Sequence, residues 1–198
     1  MAISLDPANI IQWVKEGRVF HATHGALTTP AAFETDLVVG TPDMLVRVPG
    51  GVVIVPFLIT VEVEATGAVV FQCLIRSCDN DPGTANRSAF TPVNVNTRYA
   101  AVNSKCTAHI TSTGNCTTPT NTADLLRVYV QPDIDAITGA ANFEQVVYAP
   151  LEGRGIPAVI GSSANTHGLL VYVGNGTSAT GYIEAYWAEF TYDEFYAV

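Results

Sequence analysis

The chain has 198 residues and a mass of 21.0 kDa, the size of one domain, and is long enough to bury a core without disulfide or metal staples. Only 14% of residues are charged, against roughly 25% in an average soluble protein, while 48% are hydrophobic and threonine alone occurs 22 times, so the chain folds rather than staying disordered. With 9 basic against 18 acidic residues, a formal charge of -9 and two lysines, Lys15 and Lys105, it lacks a surface able to track phosphates, and nucleic acid is not expected as a partner.

The first 17 residues differ from the rest. Asp6 is an N-cap, Pro7 suits the first helical position and Gly17 is a stop signal, so a helix of two to three turns is predicted. Ile10, Trp13 and Val14 recur at i, i+3, i+4 and form, with Ile11, an apolar surface that must be buried against something. Alone, a helix of this length is marginal in water. The N-terminus shows no basic, apolar, small-residue export pattern, so no export address is expected.

From Arg18 to Val198 the pattern is all-β, with turn residues every eight to fifteen positions and Val, Ile, Thr, Tyr and Phe enriched between them. Strands are predicted near 18–23, 44–48, 53–64, 68–76, 98–102, 105–111, 124–131, 145–149, 157–160, 168–174 and 181–192. The longest apolar run, Val52 to Ile59, contains Pro56 and falls far short of the roughly 20 residues of a membrane helix, so no membrane association is expected. Period-two alternation puts Phe57, Ile59, Val61 and Val63 on an inner face, with Thr60, Glu62 and Glu64 outward. The following strand turns Phe71, Cys73 and Ile75 inward, and Ala65-Thr-Gly-Ala68 between the two predicts a tight hairpin. Leu126, Val128 and Val130, and Leu169, Val171 and Val173, supply two more core faces. Eight or more strands of uneven length, with long polar connections at 77–97 and 112–123, predict a jelly-roll-like antiparallel β-sandwich behind the N-terminal helix; another Greek-key sandwich is the alternative.

Reactive constellations are thin. Cys73 occupies an inward strand position and reads as a buried free thiol. Cys78, Cys106 and Cys116 are disulfide candidates, as Cys106 with Cys116 or as Cys78 with either, and no cysteine spacing matches a zinc ribbon. His21 and His24 are three apart, which points their rings to opposite faces of a strand, so no metal site and no cofactor is expected. Gly161-Ser-Ser-Ala164 is not a nucleophile elbow, and Gly153-Arg-Gly155 precedes Ile-Pro rather than a helix. Asp133 with Asp135, and Glu62 with Glu64, read as solvated strand edges. Asn86, Asn115 and Asn175 fit the glycosylation pattern, which a chain rich in Asn and Thr meets by chance. No catalytic residue is therefore assigned.

The C-terminus is the most unusual stretch. Of 18 aromatic residues, seven lie in the last 17 positions: Tyr182, Tyr186, Trp187, Phe190, Tyr192, Phe195 and Tyr196. With Tyr186 and Phe190 on one face and Ile183, Ala185 and Trp187 on the other, this strand needs cover on both sides. One cover is the opposing sheet; the other is the N-terminal helix or a second copy of the chain, so self-association is expected through Tyr182, Tyr186, Trp187, Phe190, Phe195 and Tyr196.

The segments Gly17-Arg-Val-Phe-His-Ala-Thr-His-Gly-Ala-Leu-Thr-Thr-Pro30, Leu45-Val-Arg-Val-Pro-Gly-Gly-Val-Val-Ile-Val-Pro-Phe-Leu-Ile59 and Gly181-Tyr-Ile-Glu-Ala-Tyr-Trp-Ala-Glu-Phe190 give the chain a layout that resembles the capsid decoration, or cement, proteins of tailed bacteriophages. The resemblance is one of layout rather than of a defining motif. It implies a jelly-roll protomer made in the host cytoplasm, assembled as a homotrimer on the capsid exterior and holding major capsid proteins together, with no catalytic residues. On that reading Ile10, Ile11, Trp13 and Val14 are the expected capsid anchor. Other classes weighed on the sequence are a receptor- or glycan-binding head of a viral fibre or spike, favoured by the long loops; an enzyme of cupin or hydrolase type; and a major capsid protein, for which the chain is short.

Overall fold

The computed structural model describes residues 6–65, 71–83, 87–112, 116–130, 142–174 and 179–196. The helix α1 (Pro7–Lys15) is followed by β1 (Val19–His24), β2 (Ala31–Ala32), β3 (Met44–Val48), β4 (Val52–Ala65), β5 (Phe71–Cys78), β6 (Arg87–Phe90), β7 (Val93–Asn94), β8 (Thr107–Ser112), β9 (Ala123–Val130), β10 (Asn142–Tyr148), β11 (Ile160–Ser162), β12 (His167–Gly174), β13 (Thr180–Thr191) and a terminal turn of helix, α2 (Tyr192–Tyr196). The α1 cap forms as its sequence predicts, the Asp6 carboxylate accepting from the Asn9 amide at 2.9 Å.

The strands form two antiparallel sheets. The first runs β10-β4-β13-β1-β7, with β11 on the free side of β4 and β2 beside the start of β13; the second runs β6-β8-β3-β12-β5-β9. Leaving out the short strands and the β6-β8 edge pair, the eight remaining long strands, β1, β3, β4, β5, β9, β10, β12 and β13 in chain order, divide as β1-β13-β4-β10 against β3-β12-β5-β9. This is the wiring of a jelly roll: the first long strand lies beside the last, the second beside the seventh, and the chain crosses between the sheets at most steps. The inner faces meet in one core that includes Met44, Val46, Ile54, Ile59, Val61, Phe71, Ile75, Leu169, Val171, Ile183 and Trp187.

That wiring overturns the predicted hairpin after Ala65. Although β4 and β5 are consecutive, they belong to opposite sheets, β4 pairing with β10, β11 and β13 and β5 with β9 and β12. Local alternation and a small-residue turn are the same for a hairpin and for a crossing; the long-range pairings decide. Phe57 is also displaced from its predicted face. A bulge sets Tyr186 opposite Leu58 and Trp187 opposite Pro56, which leaves Phe57 as the extra residue. The inward positions are therefore Val52 and Ile54 before the bulge and Ile59, Val61 and Val63 after it, while Val55 and Phe57 face outward beneath α1. The predicted strand at 98–102 is replaced by a 3₁₀ turn at Thr97–Tyr99, capped by the Asn96 side chain accepting from the Arg98 amide at 3.0 Å.

Each sheet has a covered outer region. On the first, Trp13 of α1 packs over Val19, Val55, Ala188 and Phe190, with Ile10 and Val14 beside it. On the second, Leu45, Leu74, Cys78, Leu170 and Tyr172 are covered with Leu37, from a strap that joins β2 to β3. The strap is pinned by Asp43, which is buried and accepts from the Glu34 amide at 3.0 Å and the Val173 amide at 2.7 Å. Burial pushes the Asp43 carboxyl up to about 7 against the opposing pull of those two amides.

Candidate functional site

Below α1 the outer face of the first sheet stays open. The twofold alternation of β13 turns Tyr182, Glu184 and Tyr186 to this side, and its partners supply the flanks: Tyr186 stands opposite His21 and Leu58, Glu184 opposite Thr23 and Thr60, and Tyr182 opposite Glu62. Gln145 of the edge strand β10 pairs with Glu62 and donates its amide to Oε1 at 3.0 Å. A groove of about 510 Å³ runs along these rows, lined by Thr23, Gly25, Ala26, Leu27, Thr60, Glu62, Tyr182 and Glu184.

One wall is the turn after β1. Ala26 and Thr29 exchange backbone hydrogen bonds of 2.9 Å in both directions, which puts Leu27 at the tip, 99% exposed. Gly25 has φ +105°, and a Cβ there would meet the Tyr182 ring at 2.6 Å, so glycine is what lets the turn close against that tyrosine. At the other end the His21 ring stacks on Tyr186, centroids 4.3 Å apart at 20°, with His21 Nε2 2.9 Å from the Thr23 hydroxyl. Burial lowers the His21 pKa although Glu184 opposes it. Burial and Glu184 both raise the Tyr186 phenol.

The groove thus offers carboxylate and hydroxyl acceptors beside the half-buried Tyr182 ring. It is equipped to hold a polar ligand against a ring, with the Thr23 hydroxyl on the His21 imidazole at one end. Among the described residues there is no group of three or more His, Cys, Asp and Glu side chains that could hold a metal ion. As the sequence predicts, His21 and His24 diverge, His21 onto the outer face and His24 into the interior against Phe33.

The predicted site residues are divided by the fold. Trp13 is buried on the chain's own sheet and Ile10 and Val14 pack beside it, so the apolar stripe has a home inside the protomer; Ile11 alone of the four faces outward, 56% exposed. Of the C-terminal aromatics, Trp187 lies wholly in the core between the sheets, and Phe190 is enclosed by Trp13 and Phe195. Neither is available to a partner. Tyr182 and Tyr186 are half-buried along the groove, and Tyr196 is exposed on α2. All four cysteines are buried and none is in a disulfide, Cys73 and Cys106 in the main core, Cys78 and Cys116 beneath the strap side of the second sheet. Glu62 keeps its predicted outward position. Asp133, Asp135, Asn86, Asn115 and Asn175 lie outside the described residues.

The groove itself escapes sequence reading. Its eight lining residues come from three strands and a turn, and only the jelly-roll register brings them together. The chain matches no family model, and no match to it was found among curated proteins or solved structures.

Proposed function

We propose that the protein is a structural component of a virion, a decoration protein that binds the outer capsid surface as a homotrimer and stabilises contacts between major capsid proteins. The observation that carries this reading is an apolar edge. The segment from Val93 to Val102 is fastened to the end of α1 and the start of β1: Asn94 Nδ2 donates to the Gly17 carbonyl at 2.6 Å, Asn96 Nδ2 to that of Val14 at 2.9 Å, and the Val95 amide to that of Val19 at 3.0 Å. Val93, Val95 and Val102 are exposed along it, and Ile11 is exposed on α1. Exposed aliphatic side chains carried on one fastened segment offer a contact surface. Such a surface acts by burying area across neighbours and needs no reactive group. Jelly rolls build capsid and lectin domains alike.

Two measurements test the proposal. Light scattering on the purified protein is expected to give three times 21.0 kDa, and the protein is expected to co-sediment with capsids of the virus that encodes it at a fixed ratio to the major capsid protein. A monomer at all concentrations, together with no co-sedimentation, overturns it.

The groove beside Tyr182 favours a second reading, a receptor- or glycan-binding head domain. Aromatic faces with carboxylate and hydroxyl acceptors suit a polyhydroxylated ligand. A glycan array separates the two: a saccharide signal abolished by Tyr182→Ala supports the head domain, and a blank array with stable capsid association excludes it.

A further inference from the structure

The fold sorts the four cysteines into two environments. Cys73 and Cys106 point into the core between the sheets, while Cys78, at the end of β5, lies on the opposite, outer side of the second sheet with Leu74, Leu170 and Tyr172. Cys116 is brought to the same side by two tethers. Its amide donates to the Gly40 carbonyl of the strap at 2.7 Å, and its Sγ lies 4.0 Å from the Val39 carbonyl, which also accepts from the Tyr172 hydroxyl at 2.9 Å.

The segment after Cys116 runs antiparallel to the segment after Cys78. The Thr117 amide donates to the Pro82 carbonyl at 2.6 Å and the Asp79 amide to the Thr120 carbonyl at 3.3 Å; the Asn80 side chain ties both ends, donating to Thr118 O at 3.1 Å and accepting from the Thr120 amide at 2.7 Å. Pro82 folds back over Gly168 beside the Cys78 sulfur, since a Cβ on Gly168 would meet Cys78 Sγ at 2.9 Å and Pro82 Cγ at 3.1 Å. The residue bonded to Thr117 is therefore the one that sits next to Cys78.

We propose that Cys78 and Cys116 are a disulfide-forming pair that locks the 79–83 and 116–120 segments and the strap onto the second sheet when the protein meets an oxidising medium. The reaction is thiol–disulfide exchange with a small disulfide such as oxidised glutathione. One thiolate attacks and forms a mixed disulfide, releasing one molecule of the small thiol; the second thiolate displaces the other, so that the S–S bond forms as the oxidant's S–S bond is lost and the two cysteine protons pass to the leaving thiolates. Burial holds the Cys78 thiol up at about 11, with the nearby Cys116 adding to the rise, so in the native state the pair reacts slowly and is favoured by alkaline pH or partial opening of the strap. Cys73, pushed up to about 12 inside the core, is expected to remain a thiol.

The test is incubation of the purified chain with oxidised glutathione at pH 8.5 in mild urea, followed by removal of urea and non-reducing peptide mass mapping. The expected product is one intramolecular link joining the Cys78 and Cys116 peptides, two hydrogens lighter than the reduced pair. The link closes a loop of nearly forty residues and is expected to raise Tm by roughly 5–15 °C, reversibly on reduction. Cys116→Ser abolishes the link and the shift, and Cys106→Ser leaves both. Four free thiols, a stable glutathione adduct on Cys78, or a link through Cys73 or Cys106 each overturns the proposal. Because the wild-type map decides by itself, a serine variant that fails to fold does not rescue it.

Discussion

The Trp13 indole stands edge-on to the Phe190 ring, with centroids 5.4 Å apart and planes at 83°, so the sole helix ahead of the sandwich is fastened to its last long strand. The Phe190 ring also receives the Arg18 guanidinium, 5.4 Å from its centroid, and Arg18 in turn pairs with Glu16 at 2.8 Å and with Glu194 of α2. The α1 and α2 helices meet at this point. The contact accounts for the two-sided apolarity of β13 within a single protomer over this half of the strand.

From this contact, Trp13→Ala is expected to cost about 3–5 kcal/mol, because it empties the space above Val55, Ala188 and Phe190. Ile11→Ala, on the opposite side of the same helix, is expected to change stability by no more than about 0.5 kcal/mol. Urea denaturation of both variants checks the pair. Equal small effects would show that α1 is not docked as described.

Asp43 gives the protein a pH dependence of defined sign. Its folded pKa, about 7, lies above its ordinary value of 3.8, so between these values the folded state holds a proton that the unfolded state has lost. The contribution to stability is full below about pH 4, falls as pH rises towards 7 and is absent above it. Between pH 5 and pH 8 this group alone is expected to lower stability by about 2–3 kcal/mol. In Asp43→Asn that difference disappears, although the variant is weaker throughout because an amide nitrogen now faces a backbone donor. Denaturation at the two pH values, wild type against variant, isolates the effect from that of the histidines.

Glu189 is a second buried carboxylate with a structural task. It accepts from the Ser104 hydroxyl at 2.7 Å and the Lys105 amide at 2.8 Å, holding the approach to β8 against β13. Removing it in Glu189→Ala strands the Lys105 amide and is expected to cost about 2–3 kcal/mol. Amide exchange at Lys105 should accelerate in step with the loss. A protected amide in the variant would mean that water or another acceptor replaces the carboxylate.

The apolar edge predicts a separation of assembly from stability. Val93→Asp combined with Val102→Asp is expected to reduce the light-scattering mass to 21.0 kDa while shifting Tm by less than about 2 °C, since both side chains are solvent-exposed in the protomer. An unchanged assembly in the double variant would place the self-contact elsewhere, the open tyrosines of β13 being the next surface to alter.

The sequence by itself determined the helix, most of the long strands and most of their inward faces. Asp6, Pro7 and Gly17 bound the helix, and alternation in β5, β12 and much of β4 marked Phe71, Cys73, Ile75, Leu169, Val171, Ile59 and Val61 as core, because capping and period-two burial are local properties of a strand or a helix end. Which strands pair was not local. The tertiary structure alone sent β4 and β5 to different sheets, through the pairings of β5 with β9 and β12, and the bulge at Phe57 reversed the faces of the first part of β4 through register against β13, more than 120 positions away in the chain. The same holds for function-bearing surfaces. Sequence marked Trp13 and Phe190 as needing cover, but only the packed sandwich showed that each covers the other; it also revealed the groove beside Tyr182 and paired the surroundings of Cys78 with those of Cys116. Burial energy states how much surface must be hidden, and only the assembled geometry states against what.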